Sequence, residues 1–129
     1  MMQEKIRNFY DLRVWVESHE LVIMVYKITK LFPKDEQFGL TNQLRRASVS
    51  ITSNIAEGFG KRSIKDRVNF YTIALGSLYE VQNQLMISRD IGYLENGAWD
   101  NFEDRIILIS KMLNSLIKKS SSSLVSLDS

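Results

Sequence analysis

Hydroxyl groups and one carboxylate lie close together in QLRRASVSITSNIAEGFG, residues 43–60. A serine acts as a nucleophile only when a general base lies within hydrogen-bond reach. Glu57 is the only such base in this segment, and His19 is the only histidine in the chain. On a helix, Glu20 points about one hundred degrees away from His19, so the two do not form a pair. We therefore interpret His19 as a structural residue and predict no catalytic residues and no enzyme activity.

Acidic side chains recur at the spacing of a helix surface, which raises the question of a metal site. They are Glu17 and Glu20 in the first predicted helix and Asp100, Glu103 and Asp104 at the start of the fourth. Acids in a first turn favour the helix dipole. No histidine accompanies them, and the chain has no cysteine. The glycine-containing segment at 58–62 lacks the spacing of a phosphate-binding loop and follows no strand. We predict neither a metal nor a cofactor.

Length and composition limit the class of protein further. The chain has 129 residues, of which 44% are apolar, as expected of one globular domain. The N-terminal segment MMQEKIRNFY has no apolar core, so a signal peptide is not expected. Charges interrupt every apolar stretch, which argues against a membrane span. We expect a cytoplasmic protein without a membrane partner, and the net charge of +2 does not by itself indicate a nucleic-acid partner.

Apolar residues recur with helical periodicity along nearly the whole chain. The spacing predicts helices over about 11–32, 41–58, 63–91 and 96–119, with helical turns that begin near 35 as an alternative start for the second. Four long helices with short connections indicate an all-α, up-down-up-down four-helix bundle at residues 1–119. Residues 120–129 are predicted to form a serine-rich tail with weak structure of its own.

Individual residues define the expected helix ends. Asp11 is predicted to cap the first helix, which Pro33 stops, and Ser63 to cap the third. Gly92 ends the third helix in this interpretation. Gly76 lies inside that helix at some cost in stability, and we expect it to permit a close helix crossing.

Small side chains cover nearly every side of the second helix, and no lysine occurs between Leu40 and Glu57. The polar row of this helix consists of Gln43, Arg46, Ser50, Asn54 and Glu57. A surface helix normally carries long charged side chains on its outer face, so another subunit is the expected cover. We predict a homo-oligomer that uses this row for assembly or packing. The alternative is that the small residues pack only within one bundle.

The same residues resemble the bacterial four helix bundle protein family, also called 23S rRNA intervening-sequence proteins. The resemblance rests on FYDL at 9–12, FP at 32–33, FGL at 38–40, QLRRA at 43–47, SNIAEG at 53–58, GS at 76–77 and GY at 92–93. It covers about residues 9–115, with Thr52 standing where many members have proline. It implies a ring-like homopentamer of four-helix bundles without an assigned activity. A related group consists of accessory proteins of diversity-generating retroelements, which bind RNA and a reverse transcriptase.

Charge is distributed unevenly between the two ends of the predicted bundle. One end carries nine basic residues against four acidic ones, and the other carries four basic against seven acidic. The proposed nucleic-acid contacts are Arg7, Arg13, Lys61, Arg62, Lys65, Arg67, Lys118 and Lys119. A ring of subunits would repeat these cations on one rim, which favours RNA or another structured nucleic acid. Tyr10, Phe59 and Tyr71 are candidates to stack on bases.

Two other interpretations of this surface stay open. In the first, the basic residues are ordinary solvated side chains, and Lys118 and Lys119 complement the dipole of the last helix. Alternatively, the protein is a scaffold that recruits a partner protein such as a polymerase or reverse transcriptase without binding nucleic acid itself.

Overall fold

Four α-helices account for most of the chain. The computed structural model describes the backbone of residues 5–128 and the side chains of residues 5–122. The helices are α1 (Arg13–Thr29), α2 (Leu40–Gly60), α3 (Ile64–Asp90) and α4 (Asn96–Asp128), and short 3₁₀ turns at Phe9–Asp11 and Lys34–Glu36 precede α1 and α2. The part of the chain that is described contains no strand. The predicted all-α fold with four helices is confirmed.

The four helices pack as the corners of a square. Each helix contacts the next one in the chain, and α1 also contacts α4, whereas the diagonal pairs do not meet in the described residues. Apolar side chains from all four helices fill the centre, among them the fully buried Leu21, Ile51, Leu78 and Ile109. The α1–α4 seam therefore lies on the opposite side of the bundle from the α2–α3 seam.

The start of α1 differs from the prediction. The carboxylate of Asp11 accepts hydrogen bonds from the backbone N–H groups of Arg7 and Asn8, at 3.0 and 2.9 Å. It therefore closes the 3₁₀ turn, and Leu12 occupies the N-cap position of α1. The predicted cap at Asp11 is wrong because its side chain points back to earlier residues.

The ends of the other helices follow the sequence more closely. The Ser63 hydroxyl accepts the backbone N–H of Asp66 at 3.3 Å, which confirms the cap of α3. Gly92 follows α3 with a φ of 90°, a conformation that suits glycine. At the other terminus, α4 continues through the serine-rich segment to Asp128, so residue 119 is not a helix end. The helix can continue because serine costs little inside a helix.

Two helical glycines have opposite surroundings. A Cβ atom on Gly58 would lie 2.7 Å from Cε1 of Tyr71, so the two helices approach too closely for a side chain. A Cβ atom on Gly76 would meet nothing within 4 Å, and Gly76 is exposed. The prediction that Gly76 permits a close crossing is wrong, because its face of α3 points to solvent. Gly58 has that role instead.

Candidate nucleic-acid interface

Three parts of the chain meet at the basic end of the bundle. They are residues 7–13 around the start of α1, residues 61–67 at the junction of α2 and α3 (called the α2–α3 turn below, although it includes the first turn of α3), and the later part of α4. The first 3₁₀ turn contacts α2 at this end. All eight predicted nucleic-acid contacts belong to these parts. Seven are exposed and Lys61 is half-buried. The antiparallel order of the helices thus gathers basic residues that are more than one hundred positions apart in the sequence.

A groove of about 390 Å³ runs between α1 and α4 at this end. Arg13 lies on its α1 side, and Lys111 and Lys119 lie on its α4 side. Leu12, Val14, Met112 and Leu116 supply apolar walls. Sequence reasoning missed Lys111. The sequence feature that could have identified Lys111 is its spacing of four residues from Ser115 and eight from Lys119, which places all three on one face of a helix.

The basic side chains of the α2–α3 turn fall into two groups. Lys61 lies 3.8 Å from the Glu57 carboxylate and over the Phe70 ring, while its carbonyl accepts a hydrogen bond from Arg67 Nε at 2.6 Å. These contacts hold the turn in place. Arg62 and Lys65 are exposed, and neither forms an ion pair or side-chain hydrogen bond within the described chain. Arg62 and Lys65 are the cations of this turn most available to a polyanion.

The three aromatic candidates do not share one environment. Tyr10 is 54% exposed and packs edge-on against Phe9. Phe59 is half-buried, and Tyr71 is buried beneath Gly58. Burial raises the pKa of the Tyr71 hydroxyl, and the positive charge of Arg67 opposes that shift. The prediction that Tyr71 stacks on bases is wrong because its ring fills the α2–α3 seam. Tyr10 is the exposed aromatic ring at this end.

The polar row of α2 divides into two parts. Ser50 Oγ lies 2.8 Å from Ser77 Oγ of α3, and the Asn54 side-chain amide donates to the Ser50 carbonyl at 2.8 Å. Glu57 pairs with the lysine four positions later. Within one subunit Ser50 and Asn54 therefore contribute to packing, whereas Glu57 is exposed. Gln43 and Arg46 are exposed, and they line a groove between α2 and α3 at the acidic end.

The residues considered for catalysis or metal binding are scattered. His19 is exposed and stacks on Trp15, with 4.8 Å between ring centroids. Glu17 forms an ion pair with Arg105 of α4, across the α1–α4 seam. In the described part of the chain, no three histidine, cysteine, aspartate or glutamate side chains are grouped so that they could hold a metal ion. No described helix is long and apolar enough to cross a membrane.

Comparison with known proteins identifies the family. The sequence model of the 23S rRNA-intervening sequence protein family matches residues 10–115. The chain belongs to this family. A crystal structure from Bacteroides thetaiotaomicron, of a protein with unknown function from the S23 ribosomal protein family, is similar with 26% identity and a TM-score of 0.75. The match covers 81% of this chain and 95% of that one. No curated protein matches.

The part that matches the 23S rRNA-intervening sequence protein family contains most of the basic end. Arg13, the α2–α3 turn and Lys111 lie within residues 10–115, whereas Arg7, Lys118 and Lys119 lie outside it. The groove between α1 and α4 therefore combines residues inside the family match with two beyond it, Leu116 and Lys119. The α2–α3 turn lies wholly within the match, which makes it the better place to test a property of the family.

Proposed function

We propose that this chain is a non-enzymatic, homo-oligomeric helical-bundle protein that binds RNA or another structured nucleic acid through its basic end. The observation that carries the proposal is the group of exposed cations from three separate parts of the chain at one end of the bundle. The family name, which refers to an intervening sequence of 23S rRNA, agrees with an RNA ligand.

Phosphate contacts are the form of recognition that such a surface favours. Flexible lysine and arginine side chains on a turn and along a groove neutralise backbone phosphates and release counterions. Contacts of this kind position a nucleic acid but do not read its sequence. We therefore expect selection by shape, for example of a helical RNA stem, with Tyr10 available to stack on an unpaired base.

Assembly strengthens the proposal because a ring repeats the basic end once per subunit. The family resemblance favours a pentamer, and the exposed Gln43 and Arg46 on α2 leave room for a second subunit. Linked copies of a weak site bind a polyanion more tightly than one copy does. Sedimentation velocity at micromolar concentration tests this part. A monomer under these conditions would contradict it.

A titration of a structured RNA stem tests the nucleic-acid part. The double variant Arg62→Ala/Lys65→Ala removes two exposed cations from the basic end, and Lys30→Ala/Lys34→Ala removes two exposed cations from the acidic end as a matched control. We expect the first variant to bind at least about tenfold more weakly at low salt and to lower the slope of log K against log salt by about two. The control keeps the wild-type slope. Equal effects of both variants, or binding insensitive to salt, would contradict the proposal.

The alternative function is a scaffold for a protein partner, and exposed apolar side chains at the acidic end favour it. Phe38 and Leu31 are 89% and 78% exposed. Affinity capture from the source organism, with and without nuclease, separates the two functions. Partners lost after nuclease treatment support nucleic-acid binding. Partners that are retained support the scaffold.

A further inference from the structure

Phe38 is the most exposed large apolar side chain in the described chain. It lies in the connection between α1 and α2, one residue before Gly39 and the start of α2, and 89% of its surface is accessible. It borders the groove between α2 and α3, beside Arg46 and Glu80. Removal of an aromatic ring from water is favourable, so an exposed phenyl group at this position is available to a binding partner.

A second apolar feature lies at the same end, between α1 and α4. A groove of about 270 Å³ is lined mostly by apolar side chains, with one lysine and one asparagine at its edge. Its residues are Met24, Lys27, Ile28, Leu31, Ala98, Asn101 and Phe102. For scale, an apolar cavity of about 150 Å³ is enough to hold benzene. The groove therefore has room for one phenyl ring.

The Phe38 side chain and the apolar α1–α4 groove lie on opposite faces of the bundle, at the same height along the bundle axis. Phe38 belongs to the α2–α3 side, and the groove belongs to the α1–α4 side, which is the opposite side of the square of helices. Both lie at the end where α1 finishes and α2 starts. A two-fold dimer would need both features on one face, so this arrangement can repeat only in a head-to-tail manner.

We propose that Phe38 of one subunit inserts into the α1–α4 groove of a second copy of this chain. This inference rests on the proposed homo-oligomer and assigns its interface. Head-to-tail contacts at one level along the bundle axis generate a ring when the rotation between neighbours closes. The basic ends of all subunits then point in the same direction, because no copy is inverted in such a ring.

One pair of opposite charges lies beside the two features, while Arg46 also borders the groove next to Phe38. Lys27 lies in the wall of the groove and Glu80 lies beside Phe38, and within the described residues neither has an ion-pair partner. The head-to-tail contact brings these two faces together.

Mixing two defective subunits tests the contact. Phe38→Asp removes the phenyl group but leaves the groove intact. Ala98→Arg fills the groove but leaves Phe38 in place. Each variant alone should dissociate at least about tenfold more readily than wild type, since a buried aromatic ring is lost from every contact. In an equimolar mixture, Phe38 of the groove variant can enter the intact groove of the Phe38→Asp variant. The mixture should form one-to-one dimers and nothing larger, because the two surfaces left free on each dimer are the position without Phe38 and the filled groove. Sedimentation velocity with two labels measures both results.

Control variants keep the outcomes distinct. Ile6→Asp changes an exposed apolar residue at the other end of the bundle and should assemble as wild type does. Leu31→Asp replaces Ala98→Arg as the groove variant if circular dichroism shows that the arginine disturbs folding. A wild-type monomer would overturn the proposed assembly itself. Wild-type assembly that survives Phe38→Asp and both groove variants would overturn only this interface, and so would a mixture that yields no dimers.

Discussion

The α2–α3 and α1–α4 seams join neighbouring helices by different means. Across the first, Gly58 lies against the Tyr71 ring and Ser50 bonds to Ser77, so small side chains bring the two backbones close together. Across the second, the Glu17–Arg105 ion pair links the helices, and grooves open toward both ends of the bundle. Small residues thus bring α2 and α3 close together near Gly58 and Ser50, while longer side chains span the more open α1–α4 seam, and a groove remains beside each seam.

Substitution of Gly58 should have the largest effect on stability. Gly58→Ala places a Cβ atom 2.7 Å from a buried ring, and overpacking of this kind costs about 1–3 kcal/mol. Urea unfolding followed by circular dichroism measures the free energy. Gly76→Ala is the matched control in α3, where open space should give a gain of about 0.5–1 kcal/mol. If the two variants change stability in the same direction, the contrast between these sites is incorrect.

Loss of the serine pair should have the next largest effect. Ser77→Ala removes the hydroxyl that contacts Ser50 across the close seam, and we expect a loss of about 1 kcal/mol in the free energy of unfolding. The loss stays modest because Ser50 Oγ keeps the Asn54 amide as a neighbour, at 3.1 Å. Ser110→Ala on α4, with its hydroxyl near Asn114 only, serves as a control and should cost less. An equal cost would show that the contact between helices adds nothing.

The ion pair of the open seam should contribute less. Arg105→Gln breaks its contact with Glu17, and since both side chains are partly exposed we expect a loss of about 0.5–1 kcal/mol. A double-mutant cycle with Glu17→Gln isolates the interaction between the two residues. The coupling should shrink when urea titrations are repeated in high salt. Coupling that does not respond to salt would indicate packing as its source.

The smallest effect at neutral pH is expected from Tyr93→Phe. The Tyr93 hydroxyl donates to Glu36 Oε2 at 2.9 Å, and this hydrogen bond raises the pKa of Tyr93 above its usual value of 10. Above pH 10 the unfolded chain loses this proton before the folded one does, so stability falls as pH rises through the raised pKa. Tyr93→Phe has no hydroxyl to ionise, so its stability should not show this part of the loss at high pH. Urea unfolding at pH 8, 10 and 11 measures it, and parallel curves for both proteins would contradict the assignment.

The helices could be predicted from the sequence because apolar periodicity and capping residues are local signals. The cap at Ser63 and the positive φ of Gly92 each depend on a few neighbouring residues. The cap at Asp11 was predicted wrongly because backbone N–H groups both before and after Asp11 can donate to its carboxylate. The sequence does not indicate which of them do. The end of α4 was misread because serine is compatible with both a helix and a loop.

The candidate site was only partly predictable. The topology of the bundle placed the basic residues at one end, since antiparallel helices with short connections leave little choice. Spacing alone did not distinguish Gly58 from Gly76, or show that Tyr71 faces inward, because both depend on how α2 and α3 are rotated against each other. The exposure of Phe38 could not be predicted either, because it follows from the path of a connection and not from a periodic pattern.

Gly58 and Tyr71 share one small volume, and this constrains how the sequence can change over time. A side chain at position 58 fits only when the ring at 71 is replaced by a smaller group, and either substitution made alone destabilises the bundle. The smaller group at 71 would itself leave a void until position 58 fills it. The two positions should therefore change together, and homologues without glycine at 58 should have a smaller residue than tyrosine at 71.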